Sequence, residues 1–345
     1  MKSAGSFVDG PGVFLWVSLP GMDLSGSDRI FLEEMRPAGV VLFSENIGPP
    51  SSPDSLGRLR DLIREIRGVL APVPVILAID QEGGRVARLQ DGVPKLPPMR
   101  ELSRAGGIPE IFTAGYELGR ALSSLDIDMD FAPVLDVDSN PDNPVIGDRS
   151  FSSDPELAFR YAMTFSQGLS LGGVVPCGKH FPGHGDTHLD SHFALPTVPD
   201  PMDVLLHREI HPFRRAVSWG IPALMTAHVM YPEIDQEWPA TLSVKISETL
   251  LRKRLGFDGL LLSDDFKMAG LRDHFPLTVS VERSLLASCD GLLAMKSEDL
   301  ARQMMEQLHL LSKGKPVWFE KRKTEAVTRL RRVLSMRESS KSWSS

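Results

Sequence analysis

Eight short apolar runs recur along the chain, and this repetition constrains its fold more than any other feature. The segments between most of them carry apolar residues three and four positions apart, as amphipathic helices do. Continuous rather than alternating hydrophobicity is typical of strands that are covered on both faces, as in parallel sheets. The runs that we predict to be strands are 13–19, 38–43, 73–79, 129–137, 173–178, 221–226, 259–262 and 291–295.

The number of predicted strands also bears on the architecture. Eight strands that alternate with helices in 345 residues favour a (β/α)₈ barrel of the TIM type over an open doubly wound sheet, which commonly has fewer strands. The clearest predicted helices are 55–69, 155–171, 247–255 and 298–311. We expect one α/β barrel domain over residues 1–335 and a disordered tail over 336–345.

Composition and charge exclude several classes of protein. The 38 Lys and Arg against 45 Asp and Glu give a net charge of -7, so we expect no nucleic-acid partner. Cys177 and Cys289 are the only cysteines, which excludes a disulfide framework and a CxxC zinc or redox motif. We find no uninterrupted apolar stretch of about 18 residues, and the first apolar run is closed by Pro20 and Gly21. We therefore expect a cytoplasmic protein with no membrane span.

Polar residues follow several of the predicted strands at the point where each strand ends. A barrel brings the carboxyl ends of its strands to one rim, where active sites form, so we expect these residues to converge there. They are Asp80, Asp136, Lys179, His180, His228 and Asp264.

The densest polar segment is GKHFPGHGDTHLDSHF, residues 178–193, with four histidines and two aspartates. His180 and His184 are four residues apart, but the proline and glycines between and beside them disfavour the helix that would bring both to one metal ion. We predict no metal site. Asp190 stands two residues before His192 and could orient its imidazole, which would make His192 an acid and base. The alternative is that these are loop histidines satisfied by their neighbours.

A second segment, GFDGLLLSDDFKMAG, residues 256–270, ends a very apolar strand with two adjacent aspartates. Since successive strand side chains alternate, one of Asp264 and Asp265 can face a site while the other is held by hydrogen bonds. The alternative is that the pair only caps the next helix.

A third segment, AIDQEGGRVARLQDG, residues 78–92, presents Asp80, Glu82, Arg85 and Arg88 around a Gly-Gly turn. An ionised Asp accepts hydrogen bonds from sugar hydroxyls, and Arg donates to carbonyl or carboxylate oxygens, so the segment suits a polyhydroxylated ligand. The alternative is a surface cluster of ion pairs.

Four segments together resemble a known family. KHFPGHGDTHLDSH, DQEGGRVARL, DFAPVLDV and SDDFKMAG are similar to the signature segments of glycoside hydrolase family 3, in the family's order and within a likeness that runs from about residue 12 to about residue 311. The chain most resembles the single-domain β-N-acetylhexosaminidases of the NagZ type.

The resemblance implies a (β/α)₈ barrel and a retaining mechanism through a covalent glycosyl-enzyme. It implies that Asp264 is the nucleophile, that His192 is the acid/base and that Asp190 orients His192. It assigns substrate binding to Asp80, Arg88, Arg149, Lys179 and His180. His228 either binds substrate or satisfies a buried partner. No cofactor is implied.

The function that follows is a monomeric retaining exo-β-N-acetylglucosaminidase. It would release terminal β-linked N-acetylglucosamine from muropeptides derived from peptidoglycan, in cell-wall recycling. The alternatives are a phosphorylase that transfers the sugar to phosphate, a β-glycosidase of broader specificity, an enzyme that uses the substrate's acetamido oxygen as nucleophile, a metal-dependent hydrolase and a noncatalytic sugar-binding barrel.

The sequence departs from the family pattern at two places. Ser44 and Glu45 stand where the relatives usually carry an Arg before the Asn, and Phe266 and Lys267 replace the usual Leu-Ser after SDD. Both departures affect the expected aglycone side of the site, so the aglycone preference stays open.

Overall fold

A computed structural model describes residues 10–49, 54–191 and 195–343. Eight parallel strands form a closed barrel in the order β1-β2-β3-β6-β7-β8-β9-β10, with β10 paired to β1. The antiparallel strands β4 and β5 form a separate hairpin. The strands are β1 (Leu15–Val17), β2 (Gly39–Leu42), β3 (Ile76–Ile79), β4 (Gln81–Gly83), β5 (Val86–Ala87), β6 (Met129–Asp130), β7 (Val175–Phe181), β8 (Ala223–Thr226), β9 (Leu260–Asp265) and β10 (Gly291–Ala294).

Helices connect the barrel strands and cover their outer faces. On the helix 55–70, for example, Leu59, Ile63 and Ile66 lie on one buried stripe and pack toward the barrel, as the sequence predicts. The helices are α1 (Gly26–Met35), α2 (Ser44–Ile47), α3 (Ser55–Leu70), α4 (Met99–Ala105), α5 (Ile108–Ser124), α6 (Pro155–Leu171), α7 (Met202–His207), α8 (His211–Ser218), α9 (Ala269–Arg272), α10 (Leu277–Leu286), α11 (Glu298–Gly314) and α12 (Pro316–Trp343).

The predicted barrel is confirmed, and each of the eight predicted runs overlaps one barrel strand, although β7 and β9 extend three residues beyond the predicted runs. The run 129–137 differs most, because only Met129 and Asp130 join the ladder as a strand. Pro133 has no N–H to donate, and the chain beyond it makes one isolated bridge, from Val134 to Lys179.

Two helical segments differ from the prediction in detail. The helix predicted at 247–255 is a π-helix over Val244–Arg254, which begins where the Ser243 hydroxyl accepts the Ile246 N–H at 3.1 Å. The last helix, α12, includes residues 336–343 of the segment predicted to be a tail. That the end of the chain is disordered stays a prediction.

The interior of the barrel is filled by large side chains. Trp16 on β1 is fully buried and reaches across to Phe131, which follows β6, with 6.2 Å between ring centroids. Gly39 on β2 is required here, because a Cβ at this position would lie 2.2 Å from the Trp16 ring. The barrel is therefore a packed core rather than a channel, and a cavity at its carboxyl end has a closed floor.

Among the described residues, the helices are all too short or too polar to span a lipid bilayer.

Candidate active site

A cavity of about 190 Å³ lies at the carboxyl ends of the barrel strands. Its apolar wall includes Phe43 after β2, Phe131 after β6 and Met295 after β10. Its polar lining residues are Asp80, Glu82, Arg88, Arg149, Lys179, His180, His184, Ser191, Asp264 and Asp265. The structure thus brings together Asp264 and all five residues to which the resemblance assigns substrate binding, although they are spread over 185 positions of the sequence, from 80 to 264.

One side of the cavity is a network of buried charges centred on Lys179. Its Nζ lies 2.7 Å from Oδ1 of Asp80 and 2.6 Å from Oε1 of Glu82. Arg149 donates from Nε and Nη2 to the two oxygens of Glu82, both at 2.8 Å, in a bidentate pair. Arg88 lies 3.3 Å from Oδ2 of Asp80. Each charge is thereby fixed by at least one opposite charge.

The network determines which of its groups are ionised. Burial by itself would raise the pKa of Asp80, but the charges of Lys179 and Arg88 outweigh it and lower that pKa. The pKa of Glu82 is likewise lowered, against its burial, by Arg149 and Lys179. The two carboxylates in turn raise the pKa of Lys179. The cavity therefore presents a carboxylate, an ammonium and guanidinium groups together, all ionised at neutral pH.

His180 is oriented by the buried carboxylate of Asp136. Nδ1 of His180 lies 2.7 Å from Oδ2 of Asp136, and the backbone N–H groups of His180 and His184 also bond to this carboxylate. Burial would raise the pKa of Asp136, but the interaction with His180 lowers it, so Asp136 stays ionised. The carboxylate holds Nδ1 as the donor, and Nε2 is then the ring nitrogen that a substrate hydroxyl can engage.

The adjacent aspartates at the end of β9 have different partners. Oδ1 of Asp265 accepts the N–H of Lys267 and the N–H of Met295, both at 3.1 Å, and burial raises the pKa of Asp265 to about 6. Oδ1 of Asp264 accepts the N–H of Asp265 at 2.8 Å. Asp265 therefore ties its own loop to the segment after β10 through the N–H of Met295, and Asp264 lines the cavity beside it.

His228 lies behind this loop, fully buried, rather than among the cavity's lining residues. Its Nδ1 lies 2.8 Å from the Thr241 hydroxyl, and its Nε2 lies 3.1 Å from the backbone oxygen of Asp265. Of the two predicted alternatives, this arrangement favours the one in which His228 satisfies buried partners.

The long polar segment forms the loop after β7. Asp190 is half-buried and is not among the cavity's lining residues, and His192 lies outside the described residues. Ser191, between them, lines the cavity, and both its hydroxyl and its carbonyl group are hydrogen-bonded. Its hydroxyl lies 2.9 Å from Nε2 of His184, and its carbonyl oxygen accepts the N–H of Gly270, 3.1 Å away in the loop after β9. The loop of Asp190 is thus tied to the loop of Asp264.

The ring of His184 is held at both of its nitrogens. Nδ1 lies 2.8 Å from the Thr187 hydroxyl, and Nε2 lies 2.9 Å from the Ser191 hydroxyl. Burial lowers the pKa of His184 to about 4, so the ring is neutral at neutral pH, and one nitrogen donates to its hydroxyl while the other accepts.

Glycine is required where this loop passes the segment after β6. A Cβ at Gly185 would lie 1.6 Å from the backbone oxygen of Val137, so a larger residue would force the two segments apart. Asn143 fixes the same stretch by donating to the carbonyl oxygens of His184 and Gly185, both at 2.9 Å.

Glu82, His184 and Ser191 line the cavity but are not among the site residues that the sequence predicts. The role of Glu82 could have been predicted, because Glu82 follows Asp80 by two residues in the segment 78–92 that suits a polyhydroxylated ligand. Within residues 10–49, 54–191 and 195–343, no group of three or more His, Cys, Asp or Glu side chains is arranged to hold a metal ion.

Comparisons with known proteins identify the family. The family described as "Glycosyl hydrolase family 3 N terminal domain" matches residues 21–333. The β-hexosaminidase of Thiobacillus denitrificans is 37% identical over 302 residues, which cover 85% of this chain and 81% of that protein. The β-hexosaminidase of Actinobacillus succinogenes is 36% identical, over 86% of this chain and 84% of that protein.

Two solved structures are similar to the whole fold. A family 3 β-N-acetylglucosaminidase from Paenibacillus sp. str. FPU-7 has a TM-score of 0.90 and 32% identity, over 96% of this chain. The match spans only 63% of the Paenibacillus chain. NagZ from Neisseria gonorrhoeae, in complex with N-trifluoroacetyl-D-glucosamine, has a TM-score of 0.76 and 29% identity, over 94% of this chain and 99% of that one.

The chain therefore belongs to glycoside hydrolase family 3, and its relatives within that family are β-hexosaminidases, as its sequence motifs predict.

Proposed function

We propose that the chain is a retaining exo-β-N-acetylglucosaminidase. In this proposal it hydrolyses terminal β-linked N-acetylglucosamine, with Asp264 as nucleophile, His192 as acid/base and Asp190 as the residue that orients His192. The substrates are muropeptides derived from peptidoglycan, and the enzyme acts in the cytoplasm as a monomer without a cofactor.

The observation that carries the proposal is the composition of one small cavity. Asp264 shares it with Asp80, Lys179 and Arg149, and with the apolar side chains of its wall. A sugar needs acceptors and donors for its hydroxyls, and glycoside hydrolysis needs a carboxylate at the anomeric carbon. Relatives named β-hexosaminidase at 36–37% identity support the choice of an N-acetylhexosamine as the sugar.

In the first chemical step, a carboxylate oxygen of Asp264 attacks the anomeric carbon of the bound sugar. His192, as imidazolium, donates its proton to the glycosidic oxygen while the bond from that oxygen to the anomeric carbon breaks. The aglycone leaves as a neutral alcohol, and the sugar remains as an ester of Asp264. The transition state resembles an oxocarbenium ion, which the negative charge of Asp264 stabilises.

In the second step, His192 is neutral and accepts a proton from water as the water oxygen attacks the anomeric carbon. The ester bond to Asp264 breaks, which restores the carboxylate and the imidazolium. An imidazole with a pKa near 6.5 populates both forms near neutral pH, so one residue can serve both steps. Proton transfer of this kind typically contributes about 10²- to 10⁴-fold to the rate.

Substrate recognition falls to the charged network and to His180. The ionised Asp80 accepts hydrogen bonds from sugar hydroxyls, and Lys179 and Arg88 keep it ionised. Arg149, held by two bonds to Glu82, supplies a rigid guanidinium whose planar donors suit the acetamido carbonyl.

The closed floor of the cavity supports exo action. Trp16 and Phe131 pack beneath it in the barrel, so a chain of sugars cannot pass through, and only a terminal residue can enter. With a volume of about 190 Å³, the cavity is smaller than the roughly 300–1,000 Å³ of most ligand pockets, which suits one sugar ring.

The experiment that tests the proposal compares aryl β-N-acetylglucosaminide with aryl β-glucoside, using wild type and Asp264→Asn, with and without phosphate and a chelator. We expect hydrolysis that prefers the acetamido sugar, is indifferent to phosphate and chelator, and falls by at least about 10³-fold in the variant. Full activity in the variant would refute the mechanism. Phosphate-dependent turnover would favour the phosphorylase, and loss of activity with chelator would favour a metal-dependent hydrolase.

A further inference from the structure

Arg208, between α7 and α8, lies where the two arms of the loop after β7 meet. The outgoing arm, residues 182–188, leaves β7, and the returning arm, residues 195–200, leads to α7. Nη2 of Arg208 donates to Oδ2 of Asp186 on the outgoing arm at 2.7 Å, and also to Oδ2 of Asp200 on the returning arm. One guanidinium nitrogen therefore joins the two arms directly.

A buried carboxyl group holds the guanidinium of Arg208 in place. Nε of Arg208 donates to Oε1 of Glu209 at 2.7 Å, and the Ser139 hydroxyl donates to the same oxygen at 2.8 Å. The side chain of Glu209 is fully buried, and Ser139 belongs to the segment after β6. Because Nε and Nη2 belong to one rigid plane, the contact that fixes Nε also fixes the nitrogen that bonds to the two arms.

The outgoing arm is also fixed near its start, beside the same glutamate. The Tyr231 hydroxyl donates to the backbone oxygen of Gly183. Gly183 has a φ of +135°, which side-chain-bearing residues rarely adopt, and a Cβ there would lie 2.8 Å from Cβ of Glu209. Glu209 therefore contacts the start of the arm by packing and reaches its middle through Arg208.

The charges of this cluster make the guanidinium necessary to it. Three carboxyl groups converge on Arg208, those of Asp186, Asp200 and Glu209. Burial raises the pKa of Asp186, and the hydrogen bond with Asp200 adds to this rise, because the two carboxyl groups lie against each other. Without the guanidinium they would lose the charge that holds them and would repel each other when both are ionised. Removal of Arg208 therefore drives the arms apart.

The residues between the two arms include the proposed acid/base dyad, Asp190 and His192. The returning arm is bonded to the segment after β8, where the Val198 N–H donates to the backbone oxygen of Met230 at 2.9 Å. Only the six residues 189–194 separate the arms, and each residue spans at most about 3.6 Å. A shift of either arm therefore moves the dyad relative to the cavity.

We infer that Arg208 is a positioning residue for proton transfer, which holds the dyad of Asp190 and His192 within reach of the glycosidic oxygen by joining the two arms. The inference rests on the proposed function, because Arg208 acts through His192. Arg208 is not among the lining residues of the cavity, so it has this effect without contacting the sugar.

The test uses two aryl β-N-acetylglucosaminides that differ only in the leaving group. 2,4-Dinitrophenolate leaves with little help, whereas phenolate needs a proton. The variants are Arg208→Ala and Arg208→Lys, which keeps a positive charge but offers one nitrogen in place of a planar fork. The control is Arg302→Ala on α11, because Arg302 also pairs with two carboxylates, Glu34 and Glu298, and its side chain is 40% exposed against 29% for Arg208.

The first chemical step determines kcat/KM, so this quantity reports proton donation by His192. We expect Arg208→Ala to lose about 10- to 100-fold in kcat/KM for the phenyl substrate and less than about threefold for the dinitrophenyl substrate, since a displacement of about 1 Å can cost about 100-fold. Arg208→Lys should lose less but show the same dependence on the leaving group, and Arg302→Ala should match wild type on both substrates.

A merely structural role for Arg208 would lower kcat/KM equally for the two substrates. Equal losses in the Arg208 variants, or wild-type values in both, would overturn the inference. If Arg208→Ala does not fold, the same comparison with Arg208→Lys decides.

Failure of the proposed function gives a different result, namely no hydrolysis of either substrate by wild type. Hydrogen exchange followed by mass spectrometry then tests the anchoring of the loop by itself. Peptides that cover residues 183–191 should exchange about tenfold faster in Arg208→Lys than in wild type or Arg302→Ala, while residues 259–265 stay unchanged in all three. Equal exchange of residues 183–191 in the three proteins would overturn the inference.

Discussion

Glu82→Gln is the substitution that most sharply separates the role of the charged network in stability from its role in binding. Glu82 is 2% exposed and accepts two bonds from Arg149 at 2.8 Å and one contact from Lys179 at 2.6 Å. Removing one partner of a buried ion pair costs about 3–5 kcal/mol, because the other charges stay buried without compensation. Gln retains one acceptor oxygen, so we expect about 3 kcal/mol.

That loss of stability can be measured by calorimetry. With an unfolding entropy of about 2.1 cal/mol/K per residue, 3 kcal/mol corresponds to a decrease in Tm of about 4 °C for a chain of this length. Arg149 and Lys179 also lose the group that positions them, and a displacement of about 1 Å at a binding group can cost about 100-fold in rate. We therefore expect kcat/KM for the aryl N-acetylglucosaminide to fall about 100-fold in the folded variant.

A matched control lies at the opposite end of the barrel. Asp290, just before β10, is fully buried and pairs with Arg252 at 2.6 Å and Arg329 at 2.8 Å. Asp290→Asn should lose a similar amount of stability while kcat/KM per folded molecule stays within about twofold of wild type. Wild-type kcat/KM in Glu82→Gln, or an equal loss in Asp290→Asn, would refute the positioning role of Glu82.

Three further predictions follow from individual contacts. Ser191→Ala removes the hydroxyl that is hydrogen-bonded to His184, in the residue directly before the proposed acid. We expect kcat/KM to fall about 10- to 100-fold for aryl substrates with poor leaving groups and by less than about threefold for good ones, which need little proton donation; equal losses would contradict this. Asp265→Asn should retain at least about 100-fold more activity than Asp264→Asn, measured as kcat on the same substrate, and the reverse order would reassign the nucleophile. Burial, partly offset by Ser139 and Arg208, raises the pKa of Glu209 from its ordinary 4.5 to about 7. Folded chains therefore hold this proton more tightly than unfolded chains do, and the free energy of unfolding falls as pH rises from about 4.5 to about 7. Glu209→Gln removes this loss, so the free energy of unfolding of the variant relative to wild type should rise by up to about 3 kcal/mol between pH 4.5 and pH 7.5, measured by urea titration. A difference between the two proteins that does not change with pH would contradict this prediction.

Much of the fold could be predicted from sequence because parallel strands leave a simple pattern. Runs such as 73–79 and 259–262 are apolar without alternation, since both faces are covered, and each overlaps a barrel strand. The prediction was less accurate where the backbone leaves the ladder. Met129–Asp130 is all that pairs as a strand in the run 129–137, because Pro133 cannot donate to a neighbour.

The candidate site could be predicted only in part. The convergence of Asp80, Lys179 and Asp264 in one cavity could be predicted, because each lies at the carboxyl end of a predicted strand. Partners that come from distant segments leave no such signal. The bidentate pair of Arg149 with Glu82 spans 67 residues, and the bond from Gly270 to Ser191 spans 79 residues and involves only backbone atoms, which no side-chain pattern encodes.

The measurement that tests the central claim most directly is trapping of the covalent intermediate with a mechanism-based fluorosugar, followed by mass spectrometry of the digested protein. We expect one sugar to be attached per chain, as an ester of Asp264. Label on Asp265 or another carboxylate, or turnover without any covalent label because the substrate's own acetamido oxygen attacks, would contradict the account.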